Sequence, residues 1–196
     1  MMSTEVVRIL SFDPAITVAG WAVSDYDLAT GGFMVRRFGN LLPSKIVSHA
    51  DKRDLVETFG RKIIALDVLS DMVIQLMDEH KPDFVVLENA FINGRFPNAF
   101  ISLVSWISTI EMLLYKKYGK PTYRLAPKQA KRIISGDGTS DKLNIQNAVL
   151  ANERITFKQK RQMVTLDEHE ADAISIGYGF CVSVLPGLLA EVPVTQ

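Results

Sequence analysis

The sequence predicts an α/β fold, a mixed β-sheet with helices on both faces. Three features carry this reading: consecutive strand-like runs at the N-terminus, a short apolar run ending in a carboxylate mid-chain, and helical periodicities alternating with strands thereafter. At 196 residues, 47% of them hydrophobic, the chain has the size of one domain, taken as 1–196, and can bury a core without staples.

VVRILSFD, rich in β-branched residues, is read as the first strand, and GWAVSDYD and GGFMVRRFGN follow it with strand-like composition and glycine-rich breaks. From Asp54 to His80, Leu55, Phe59, Ile63, Leu66, Leu69, Val73 and Leu76 recur at threes and fours, one face of a long helix that Pro82 stops. FVVLE, Phe84 to Glu88, has the continuous apolar character of a strand covered on both faces. After the loop NAFINGRFP, Asn98 to Tyr118 is helical in length and TYRLA adds a strand. Pro127 opens a basic helix, PKQAKRII, and the polar turn SGDGTSDK leads to another helix, LNIQNAVLANE. A last helix runs from His169 to about Val184. No repeat, low-complexity tract or linker interrupts this order, whose layout resembles that of RNase H-like domains.

The lone cysteine, Cys181, lies in the apolar run IGYGFCVSVL and is expected to be a buried free thiol. No segment is read as a secretion signal or a membrane span, so a soluble, cytoplasmic protein with no membrane partner is expected. Lys+Arg and Asp+Glu both number 22, so overall charge neither favours nor excludes a nucleic-acid partner. The distribution is uneven: Lys116, Lys117, Lys120, Arg124, Lys128, Lys131, Arg132 and Lys142 are opposed over that stretch only by Asp137 and Asp141. A local basic patch is expected there.

Three acids occupy telling places: Asp13 ends the first strand, Glu88 ends the buried strand FVVLE, and Asp172 lies in the last helix. Strand ends are where sites form in open α/β sheets. A carboxylate closing a buried strand costs several kcal/mol unless a cation or hydrogen bonds compensate it. In LDEHEAD, Asp167 and Glu170 have the spacing of a capping box and are assigned to structure. His169 and Asp172, three apart, share a helix face and are the ligand candidates, with Glu168 in reserve. Convergent carboxylates suit Mg²⁺ or Mn²⁺, whereas the missing Cys/His cluster disfavours zinc. Two such ions about 4 Å apart would activate water, hold a scissile phosphate and stabilise a leaving 3′ oxygen.

Four blocks in order resemble the RuvC family of Holliday-junction resolvases: SFDPAITVAGWAV, VVLENAFINGRFPNA, YRLAPKQAKRIISGDGTSDKLNIQ and LDEHEADAISIGYG, together spanning Phe12 to about Gly179. The resemblance implies a structure-selective endodeoxyribonuclease that resolves four-way DNA junctions as a homodimer. Asp13, Glu88, His169 and Asp172 would then be metal ligands and catalytic residues. It also implies Lys131 and Lys142 beside the scissile phosphates, Lys142 acting in catalysis, with Lys128 on the same basic helix in contact with DNA. Phe91 matches an aromatic at the junction centre, where it could stack on a base, and Arg95 is a candidate phosphate contact. Ala15 departs from the pattern, a glycine being usual in that turn.

Three other readings compete. A RuvC-like nuclease acting on flaps, forks or other branched DNA would carry the same residues. A non-catalytic branched-DNA binding module would not need the acids. A sugar-kinase or actin-like phosphotransferase would need further glycine-rich phosphate loops and about twice the length. The helix around Ile101, Val104, Trp106 and Ile107 carries more apolar surface than one sheet contact needs and is expected to supply part of a dimer contact.

Overall fold

The computed structural model describes residues 6–15, 17–47, 52–90, 97–158 and 166–190. Among the described residues six strands form one sheet: β1 (Val6–Asp13), β2 (Ala19–Asp27), β3 (Phe33–Leu41), β4 (Phe84–Glu88), β5 (Thr122–Leu125) and β6 (Ile155–Phe157). Their order is β5-β4-β1-β2-β3-β6. The β1-β2-β3 meander is antiparallel, β4 and β5 run parallel to β1, and β6 runs parallel to β3. The α/β mixed sheet expected from the sequence is therefore present. The three-residue β6 adds a strand that is too short to show an alternation in sequence.

The helices are α1 (Pro43–Val47), α2 (Arg53–Phe59), α3 (Arg61–His80), α4 (Pro97–Tyr118), α5 (Pro127–Ser135), α6 (Lys142–Ala151), α7 (Glu168–Ser183) and α8 (Leu185–Ala190). Strand alternation assigns them to two layers. On β1, Leu10 and Phe12 pack with Val85 and Leu87 of β4 against Leu69 and Val73 of α3 and Trp106 and Ile110 of α4. Ile9 of β1 and Val86 of β4 face the other way, onto Ala173, Ile176 and Phe180 of α7 and onto α5 and α6. The helix α7 lies across β1, β2 and β3, and Gly177 lets it approach: a Cβ there would stand 2.8 Å from Ser11 Oγ.

Two sequence expectations are corrected. The long helix from Asp54 to His80 is two, because Gly60 takes φ 83°, ψ 148° between α2 and α3. Leu55, Phe59 and Ile63 are accordingly 40%, 58% and 55% exposed, and the buried face of α3 is Ile64, Ala65, Val68, Leu69, Val73, Leu76 and Met77. On α4, Trp106 and Ile107 are buried core residues, so of the four named for a dimer contact only Ile101 and Val104 are exposed. Among the described residues, Glu168–Ala190 is long and apolar enough to cross a membrane by length and composition alone. Burial accounts for its character: Ala171 and Ala173 through Cys181 are all buried, most of them in the core beneath α7. Cys181 is a buried free thiol, as expected.

One polar group inside the sheet stands out. Asp25 on β2 is buried, with Arg8 Nε at 2.9 Å and Arg36 Nη1 at 2.5 Å. Burial pushes its carboxyl up, and the two guanidiniums more than reverse this, leaving it below its ordinary value of 3.8. Because the folded value is depressed, the stabilisation is complete above that ordinary value and disappears as pH falls through the folded one. Asp25→Asn is expected to cost about 2 kcal/mol at pH 7, where it leaves two half-buried arginines without a counter-ion. The loss should shrink markedly at pH 3, which paired thermal melts at the two pH values measure.

Candidate active site

The alternation that builds the core also gathers the acids. On β1, Asp13 falls in the same phase as Ile9 and Ser11, and on β4 Glu88 falls in phase with Val86, so both point to the face that α7 covers. The strands are parallel neighbours in the register Phe12↔Leu87, which places the two carboxylates side by side at the C-terminal edge. From above, Ser11 Oγ donates to Ala173 O at 2.7 Å and clamps α7 to β1 one residue beyond Asp172. A capping box starts the helix: Glu170 N donates to Asp167 Oδ1 at 2.9 Å and Asp167 N to Glu170 Oε2 at 2.8 Å. This pair is structural, as its spacing predicts, and Asn40 Nδ2 also donates to Asp167.

Asp172, Glu88, Lys128 and Lys131 line one cleft of roughly 510 Å³ with Ala126, Pro127 and Gly138. Burial, then the charges of Asp13 and Asp172, push Glu88 up to about 8, with Lys131 pulling the other way. Burial and the Asp13 charge raise Asp172 to about 6 against the opposing influence of Lys131, His169 and Lys142.

His169 points at the first strand: its Nδ1 is 2.8 Å from Asp13 Oδ2, and this hydrogen bond raises the imidazole above its ordinary value despite partial burial. Its Nε2 lies 3.5 Å from Glu168 Oε1, and the same oxygen is 2.5 Å from Lys142 Nζ. Lys131 Nζ donates to Ser140 O at 3.0 Å, which ties α5 to the turn before α6. Among the described residues no three carboxylates, imidazoles or thiols form a ready-made ligand shell. The donors nevertheless fit a hard divalent cation: two partly buried carboxylates at neighbouring strand ends and a third above them repel one another, and an ion with several waters would relieve that repulsion. Phe91 and Arg95 lie outside the described residues.

Two contributors were given no role by the sequence. A Cβ on Gly20 would stand 2.0 Å from His169 O, so β2 reaches the first turn of α7 only because this residue has no side chain. Ser11 had one signal, a hydroxyl in an otherwise apolar strand segment at a position facing a helix.

The fold and the cleft define an RNase H-like α/β protein with a carboxylate site at adjoining strand ends. Comparison narrows the class. No protein-family model matches the chain. It is 24% identical over 171 residues to the crossover junction endodeoxyribonuclease RuvC of Borrelia turicatae, covering 87% of this chain and 93% of that one. It is 26% identical over 171 residues to the protein of that name from a Synechococcus species, covering 87% and 96%. Among solved structures it is similar to Thermus thermophilus RuvC in complex with a Holliday junction substrate, with TM-score 0.63, 18% identity and coverage of 92% and 96%. It is also similar to the yeast mitochondrial Holliday junction resolvase, with TM-score 0.60, 13% identity and coverage of 89% and 78%. These likenesses run over most of the chain's length and all point to RuvC proteins and related resolvases.

Proposed function

We propose that this chain is a crossover-junction endodeoxyribonuclease that cuts four-way DNA junctions in two opposed strands, leaving 5′-phosphate and 3′-hydroxyl ends. The observation that carries this reading is the clustering of three acids, Glu88 and Asp172 lining one cleft with Lys128 and Lys131 and Asp13 beside them, in a chain that matches RuvC proteins over most of its length.

Asp13, Glu88 and Asp172 are proposed to bind Mg²⁺ or Mn²⁺, two ions per site. Such ions would acidify a water, neutralise phosphoryl charge and stabilise the leaving oxygen. His169, with Nδ1 engaged by Asp13, can reach an ion only through Nε2. Its hydrogen bond also fixes the Asp13 carboxylate in orientation. Lys142 and Lys131 bring cationic charge to the scissile phosphate, and Lys128 extends the contact along the DNA backbone. Phe91 is assigned to base stacking and Arg95 to phosphate on the family resemblance.

A symmetric junction requires two cuts, which an isologous homodimer provides. The exposed Ile101, Val104, Met112 and Tyr115 on α4 are apolar surface available for such a contact.

The test is a nuclease panel of four-way junction, fork, flap and linear duplex, each in Mg²⁺, Mn²⁺ and EDTA. Paired, ligatable nicks in the junction with either metal, and no cleavage in EDTA, are the expected result. A preference for flaps or forks would reassign the substrate, and binding without cleavage would leave a DNA-binding module.

A further inference from the structure

The site contains an ion pair that the chemistry above does not use. Lys142 is the first residue of α6, and Glu168 is the first residue of α7. A cation in the first turn opposes the helix dipole, so helix stability does not explain Lys142 there, and the N-cap is already supplied by Asp141, which accepts from Asn144 N at 2.8 Å. The side chains are 62% and 37% exposed, an exposure at which ion pairs add little to stability. Yet the contact is short, 2.5 Å, and the accepting oxygen also lies 3.5 Å from His169 Nε2. With the bond from His169 Nδ1 to Asp13, a continuous line of polar contacts runs Lys142, Glu168, His169, Asp13 and links α6, α7 and β1 at the mouth of the cleft.

We propose that Glu168 is a positioning residue for Lys142, holding its ammonium beside the carboxylate site so that the charge stands where the scissile phosphate arrives. An ammonium has three donor hydrogens, so Lys142 can keep one on Glu168 while offering others to a phosphate oxygen. A lysine on a four-carbon stem otherwise samples many rotamers, and anchoring it before substrate arrives removes that reorganisation from the reacting complex. The contacts through Glu168 and His169 to Asp13 hold the Lys142 charge at the mouth of the carboxylate site. Glu168 on this reading touches neither metal nor DNA. The inference rests on the nuclease reading, and wild-type activity tests that reading separately.

The experiment is a double-mutant cycle with the full-length protein: wild type, Glu168→Gln, Lys142→Ala and the double variant. Single-turnover cleavage of a four-way junction at saturating enzyme is measured alongside junction affinity in EDTA, the Mg²⁺ concentration for half-maximal rate, and Tm. If Glu168 acts through Lys142, Glu168→Gln slows cleavage roughly tenfold, which is ~1.4 kcal/mol in barrier height. Affinity, half-maximal Mg²⁺ and Tm stay close to wild type, and the double variant is no slower than Lys142→Ala alone. Multiplicative losses in the double variant would overturn the proposal. So would a large rise in the Mg²⁺ requirement of Glu168→Gln, which would make Glu168 a ligand, or a Glu168→Gln rate equal to wild type. A wild-type protein that cuts no substrate in the panel would instead refute the nuclease reading.

Discussion

Asp13→Asn and Asp172→Asn are each expected to reduce metal-dependent junction cleavage by about a thousandfold or more, ~4 kcal/mol in barrier height, while leaving junction affinity in EDTA unchanged or tighter. The cause is electrostatic. Glu88 and Asp172 are raised because burial and neighbouring carboxylates disfavour their charge, so each acid repels the others and also an incoming phosphate. Replacing one acid with its neutral isostere removes an oxygen ligand and part of that repulsion together, which separates binding from chemistry. The amide keeps the shape of the carboxylate, and in Asp13→Asn its carbonyl oxygen can still accept from His169 Nδ1, so the fold should persist. If either variant cuts within about tenfold of wild type in Mg²⁺, the site is built from other residues.

Gly20→Ala is expected to be the most damaging single-methyl change. The new Cβ would stand 2.0 Å from His169 O and 2.4 Å from His169 C, both backbone atoms, so no rotamer change relieves the clash. Either β2 or the first turn of α7 must move by roughly an ångström or more to restore ordinary van der Waals separation. We expect a loss of about 3 kcal/mol, lowering Tm by roughly 10 °C. Displacing α7 also draws His169 away from Asp13, so cleavage assayed below the new Tm should fall by about a hundredfold, the scale on which such misplacement acts. Normal cleavage by a destabilised variant would show that the His169–Asp13 contact is dispensable. An unchanged Tm would show that the close approach relaxes freely.

These expectations draw unequally on sequence and structure. The strand-terminal carboxylates were legible because an acid closing an apolar run such as FVVLE is energetically anomalous, and the capping box because its spacing is local. The family resemblance was legible because four blocks keep their order along the chain. The break at Gly60 was not, since a single glycine within a regular apolar period does not interrupt that period, and only the backbone shows φ turning positive. The apolar stretch from Glu168 to Ala190, which was not read as a membrane span, passes the length and composition test for one, and its packing in the core accounts for that character.

By itself the sequence determined the α/β class, the identity of the acids, the basic character of α5 and the cap of α7, because each depends on residue type and spacing over a few turns or one strand. Tertiary structure decided which residues meet. The parallel register of β1 and β4 sets Asp13 beside Glu88. The Ser11 hydroxyl and the bare backbone of Gly20 bring α7 down over them. Glu168, a reserve ligand by spacing, faces Lys142. Such contacts join positions far apart in the chain, and no local pattern encodes them, because their energy exists only once the sheet and helices have packed.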